Sequence, residues 1–118
     1  MLKGRFMRYL FLLLPLHLVA QNSFITPMEY AASLYENPRA IGCQKCHGIK
    51  GEGKVVAKYI DKKENMSFSG PQINEMDFTR FYYALNKRIK GMPRYFLTQK
   101  EIESLYFYLE EKKKEAKK

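Results

Sequence analysis

Cys43, Cys46 and His47 stand within five positions of one another in the stretch IGCQKCHGIKGEG (residues 41–53), and they include both cysteines of the chain. Four chemistries use two cysteines at this spacing. A disulfide is the simplest and requires an oxidising compartment. A thioredoxin-like redox pair requires a βαβ setting, of which the flanking residues give no sign. Structural zinc takes four ligands, almost always Cys and His, and three are at hand. C-x-x-C-H is also the attachment motif of a c-type haem, in which each thiol adds to a vinyl group of the porphyrin and the adjacent imidazole is carried under the iron.

The first twenty residues bear on that choice. Lys3, Arg5 and Arg8 form a basic start, YLFLLLPLHLVA (residues 9–20) is an apolar run of twelve, and Ala20 offers a small residue for cleavage. This is the pattern of a secretory signal peptide over residues 1–20. A membrane-spanning helix needs roughly 20 apolar residues, whereas this run is short and interrupted by Pro15 and His17, so an uncleaved anchor is the lesser alternative. Cleavage near Ala20 removes His17 and leaves His47 as the sole histidine, with no fourth zinc ligand of its kind. Haem attachment then uses every member of the cluster, and a plain disulfide is its competitor.

An iron bound by one imidazole needs a second ligand, or its other face stays open to small molecules. With no second histidine, the soft thioether of methionine is the partner, a pairing that raises the reduction potential. Met28, Met66, Met76 and Met92 are the candidates in residues 21–118. Methionine commonly serves as adaptable core filling, the expected role of Met28, Met66 and Met76. Met92 sits in KGMPRYF, where Gly91 permits close backbone approach and Pro93 fixes the chain direction. His47 and Met92 are therefore the expected iron ligands, and Cys43 and Cys46 the points of attachment.

The elements that must position these residues read as helices. Residues 21–118 are long enough for one small domain, which would gain from a staple or cofactor. Thr26-Pro-Met-Glu29 is a capping box with proline at the first helical position, and it predicts a helix from about Pro27 to Glu36 with Tyr30, Ala31, Leu34 and Tyr35 on its apolar side. Phe78, Phe81, Tyr82, Leu85 and Ile89 recur at helical spacing, with Asn74 or Asp77 as cap and Gly91 beyond the end. Thr98-Gln-Lys-Glu101 is a second capping box, predicting a helix from about Gln99 to Lys112. Between Gly48 and Gln72 the pattern is poor: KVVAKYID reads as one short helix or an extended piece, and DKKENMSFSG as a turn-like loop. The expected fold class is all-α.

Together these residues resemble the small single-haem class I cytochromes c of bacterial periplasms. The likeness rests on Ala31-x-x-x-Tyr35, on Cys43-x-x-Cys46-His47-Gly48, on Gly91-Met92-Pro93 and on aromatic Tyr106 in the last helix. The resemblance implies an orthogonal arrangement of about three main helices enclosing one covalent haem c, with small residue against aromatic where the first and last helices cross. The family often has Gly where Ala31 stands. It also often places a proline soon after the motif, whose carbonyl orients the imidazole; none occurs here before Pro71.

The implied function is periplasmic transfer of one electron, without enzymatic activity and with no catalytic residue. Tyr30, Tyr35, Phe78, Phe81, Tyr82, Tyr106 and Phe107 are expected to keep water from the porphyrin. The alternatives are a haem-based ligand sensor or peroxidase-like protein with an open sixth site, and a haem subunit of a membrane respiratory complex. The chain carries 21 basic and 12 acidic side chains, net +9; without Lys3, Arg5 and Arg8 that becomes 18 against 12, net +6. Export argues against nucleic acid as the reason for this charge. The expected partners are redox proteins met transiently, acidic where they face lysines, with membrane contact only through a partner complex or an uncleaved leader. The basic tail, about residues 111–118, reads as a solvated helix end whose lysines complement the C-terminal dipole.

Overall fold

The computed structural model describes residues 25–118; the leader expected over residues 1–20 lies outside them. Both capping boxes form. Thr26 Oγ1 accepts from the Glu29 N–H at 3.1 Å while the Glu29 carboxylate accepts from the Thr26 N–H at 2.7 Å. With Pro27 preset for the first turn, they open helix α1, Pro27–Glu36. Thr98 and Glu101 repeat the exchange at 3.2 and 2.8 Å and open the last helix. That helix runs over Gln99–Ala116, past the expected end at Lys112, and its final turns are laced by Lys112–Glu115 and Lys114–Glu111 pairs at 2.9 and 2.7 Å.

Between them stand a single turn at the cysteine motif, α2 (Gln44–His47), the strands β1 (Lys54–Asp61) and β2 (Glu64–Gly70), and the helix α3 (Phe78–Asn86); Gln99–Ala116 is thus α4. Asp77, not Asn74, caps α3 by accepting from the Arg80 N–H at 3.0 Å. The helix stops before Ile89 because Lys87 is extended, with φ −100° and ψ 154°. The chain instead turns toward Met92, whose N–H reaches the Ile89 carbonyl at 3.2 Å.

The all-α expectation is overturned by the hairpin. Among the described residues, four helices and one two-stranded antiparallel sheet make a mixed α/β fold, 44% helical and 16% strand. Tyr59 pairs with Met66 and Ala57 with Phe68, while Val56 is the extra residue of a bulge. The turn between the strands is Lys62-Lys63, both at positive φ (47° and 69°), the primed geometry whose twist suits a hairpin. Asn-Gly or Asp-Gly normally fills such a turn, so lysines there give no hairpin signal. What the sequence does carry is the alternation Asn65-Met66-Ser67-Phe68-Ser69, a period-two pattern inside the segment expected to be a loop.

The core lies where α1, α3 and α4 meet. Ala31, Leu34 and Tyr35 bury against Phe81, Ile102, Leu105, Tyr108 and Leu109. The aromatic of α4 that reaches α1 is Tyr108, its ring 5.3 Å from that of Tyr35. Tyr106 instead packs on Phe78 and Phe81 of α3, at 5.3 and 5.5 Å. Among the described residues no helix is long and apolar enough to cross a membrane.

Candidate functional site

Cys43 occupies the residue before α2 in helical conformation, so Cys43, Cys46 and His47 sit on one turn of backbone. That turn is fixed from several sides. The Cys43 N–H donates to the Tyr35 carbonyl at 3.0 Å, and the Gly53 N–H to the His47 carbonyl at 2.7 Å. The Tyr35 hydroxyl donates to the Gly48 carbonyl at 2.7 Å and the Tyr95 hydroxyl to the Ile41 carbonyl at 2.6 Å. Burial raises both phenols above their ordinary range, Tyr95 to about 12, so each remains a hydroxyl donor at any physiological pH.

His47 is buried, 8% exposed, and its Nδ1 lies 2.8 Å from the Pro71 carbonyl. A carbonyl can only accept, so Nδ1 carries the proton and Nε2 is the ring nitrogen left free to act as a ligand. Pro71, the first proline after the motif, is brought back to it by the hairpin, which leaves just after Gly53 and returns at Gly70. Gly70 must be glycine for this closure, since any Cβ there would run into the Cys46 carbonyl.

These residues open onto one cavity with an almost wholly apolar wall. Cys43, Cys46, His47 and Met92 all line it. The 24-residue separation of His47 from Pro71 and the longer one from Met92 are thus closed around a single space. Both cysteines are half-buried free thiols, and burial pushes the Cys43 thiol up to about 11, so it is protonated at neutral pH. Among the described residues no three His, Cys, Asp or Glu side chains converge on a common metal position.

The other methionines divide. Met28 packs against the core and Met66 stands on the hairpin, 42% exposed, but Met76 also lines the cavity. Of the aromatic residues expected to shield a porphyrin, Tyr35 and Phe81 reach the cavity wall; Tyr30, Phe78, Tyr82, Tyr106 and Phe107 do not. Phe68, Pro71, Ile73 and Tyr95 do, and no sequence argument had marked them. Phe68 sits over Gly91, where an added Cβ would lie 2.7 Å from its ring. Gly91 is in the left-handed region, φ 85°, where glycine carries no steric cost. Along the chain on either side of Met92 the charge is of one sign: Lys87, Arg88, Lys90 and Arg94 stand there, and residues 78–100 contain no carboxylate.

An apolar space faced by two thiols, one oriented imidazole and a thioether has the donor set of a covalently held porphyrin, and these residues fit that group. No protein-family model, no curated protein and no solved structure matches this chain, so its resemblance to single-haem cytochromes c rests on its own residues and on the cavity they share.

Proposed function

We propose that this chain is an exported one-electron carrier built around a single c-type haem, held through Cys43 and Cys46 and ligated by His47 and Met92. When bound, the haem supplies an iron centre that takes up and releases one electron. The observation that carries the reading is that all four residues line one apolar cavity. Side chains that spread along a wall suit a broad planar ligand, whereas zinc would need them to meet at a point.

Each residue then has a task. Pro71 holds the Nδ1 proton of His47 and so aims Nε2, the kind of outer partner that also strengthens the imidazole as a donor. Tyr35 and Tyr95 pin the motif backbone through Gly48 and Ile41. Met92 would be the second ligand to the group, and a site so filled would leave no position for substrate, which favours electron transfer over a sensor or a peroxidase. Tyr35, Phe81, Ile73 and Leu85 keep water away from the reactive centre, a lever on potential. The cations flanking Met92 favour an acidic redox partner, met in a salt-dependent encounter.

The test is to produce the full chain in a host able to attach c-type haem, weigh the exported protein, and record reduced spectra with and without carbon monoxide. The expected result is a mass increased by one haem, a chain shortened near Ala20, and spectra unmoved by the gas. A mass equal to the polypeptide alone, with Cys43 bridged to Cys46, overturns the proposal. A haem that binds carbon monoxide readily returns the protein to the sensor or peroxidase class.

A further inference from the structure

Residues 68–71 touch the supports of both expected iron ligands. At one end the Pro71 carbonyl accepts from His47 Nδ1 at 2.8 Å. At the other, the Phe68 ring occupies the space that a side chain on Gly91 would take, with Cε2 and Cζ 2.7 and 2.8 Å from where that Cβ would stand. Phe68, Gly91 and Met92 all face the same cavity.

The turn that carries Met92 has little else to hold it. Among the described residues, its backbone makes a single hydrogen bond between Lys87 and Pro93, from the Met92 N–H to the Ile89 carbonyl. Its later part is better anchored, with the Tyr95 hydroxyl on the Ile41 carbonyl and Arg39 on the Phe96 carbonyl. Ile89 and Lys90 stand at the surface.

We propose that Phe68 is a positioning residue, whose ring, delivered by β2, presses on Gly91 and holds the Met92 turn against the cavity mouth. The proposal rests on the haem reading above. It gives the hairpin a purpose beyond returning Pro71 to the motif: one segment steadies the imidazole from one side and the thioether from the other. Phe68 is 39% exposed and lies outside the buried core, so its loss frees the turn while leaving α1, α3 and α4 packed.

An added ligand reports this directly, because its apparent affinity scales with the fraction of molecules in which the sixth position is open. The experiment titrates imidazole into the oxidised, haem-loaded full chain, comparing wild type with Phe68→Ala, Phe68→Leu and Tyr59→Ala. Each protein is first weighed for attached haem. Phe68→Ala should raise imidazole affinity at least roughly tenfold, and Phe68→Leu, which retains bulk but not the ring, roughly threefold. Tyr59→Ala, on the same hairpin but away from the cavity, should bind as wild type does. If Phe68→Ala fails to mature, the Leu variant decides.

Equal affinity in wild type and the Phe68 variants, with haem attached, overturns the proposal and leaves the electron-carrier reading standing. An equal gain in Tyr59→Ala also overturns it, since hairpin stability rather than the Phe68 contact would then be responsible. A wild-type mass lacking haem removes both readings together.

Discussion

The helical frame and the hairpin are held in place by opposite means. In the frame, α1 and α4 start from reciprocal capping boxes and bury a continuous set of side chains, with Tyr35, Ile102, Leu105 and Leu109 almost wholly inaccessible. In the hairpin every residue except Gly70 is exposed, including Val55, Val56, Tyr59 and Ile60. A two-stranded hairpin alone in water is marginal. This one is secured at its base, where Gly53 and Pro71 bond to His47 and Gly70 lies against Cys46. The frame therefore carries the stability, and the hairpin carries shape to the cavity.

Matched truncations in the two regions give the largest contrast. Ile102→Ala, in the frame, should cost about 2–5 kcal/mol, whereas Ile60→Ala, at 73% exposure, should stay within about 0.5 kcal/mol; denaturant unfolding measures both. A comparable loss at Ile60 would mean that the strands bear on the core and would erase the distinction.

Acid should act on the frame next. Arg39 grips the Glu101 carboxylate with both terminal nitrogens, at 2.7 and 3.0 Å. Together with the Thr98 N–H and the Tyr30 hydroxyl, it holds that carboxyl down at about 2 instead of 4.5. A lowered folded-state value stabilises the protein above the unfolded value, and the benefit fades as pH falls from about 4.5 toward 2. Wild type should thus unfold more readily through that window, and Arg39→Leu, less stable at neutral pH, should converge on it as pH drops. Thermal midpoints that keep a constant separation would remove Glu101 from the account.

The smallest effect belongs to the turn. Lysine in the left-handed region costs about 1–2 kcal/mol per residue, so Lys62→Asn with Lys63→Gly should strengthen the hairpin by about 1 kcal/mol, the change being partly offset by the freedom of glycine in the unfolded chain. Slower amide exchange across β1 and β2, with unchanged exchange in α1 and α4, is the expected signature. Uniform slowing would show that the two regions open together.

The same division governs what can be read in the sequence. Thr26-Pro27 with Glu29, and Thr98 with Glu101, mark helix starts because a cap is a local transaction among four residues, and both helices begin where these residues put them. The ends are harder to read. α3 stops at Asn86 although Ile89 keeps its period, because the chain is diverted to bring Met92 to the cavity. The hairpin was only partly legible, KVVAKYID as one of two readings and residues 65–69 by their alternation, for two physical reasons: its turn lacks the glycine or asparagine that usually announces one, and its strands bury no face. Cys43, Cys46, His47 and Met92 were marked as a set by residue chemistry, and all four line one cavity. Phe68 was not marked and Pro71 only as the first proline after the motif, since their places beside that cavity arise only when a 24-residue excursion closes on itself.

That closure makes the excursion a cassette. Both of its ends meet at one residue, Gly53 on the His47 backbone carbonyl and Pro71 on its imidazole, so the strands between them can lengthen or shorten without moving that residue, provided residues are gained or lost in matched twos that keep Phe68 on its own side of the sheet. A tag or a surface-tethering peptide spliced at Lys62-Lys63 would ride on the outer tip of the molecule, wired to its heart yet clear of it.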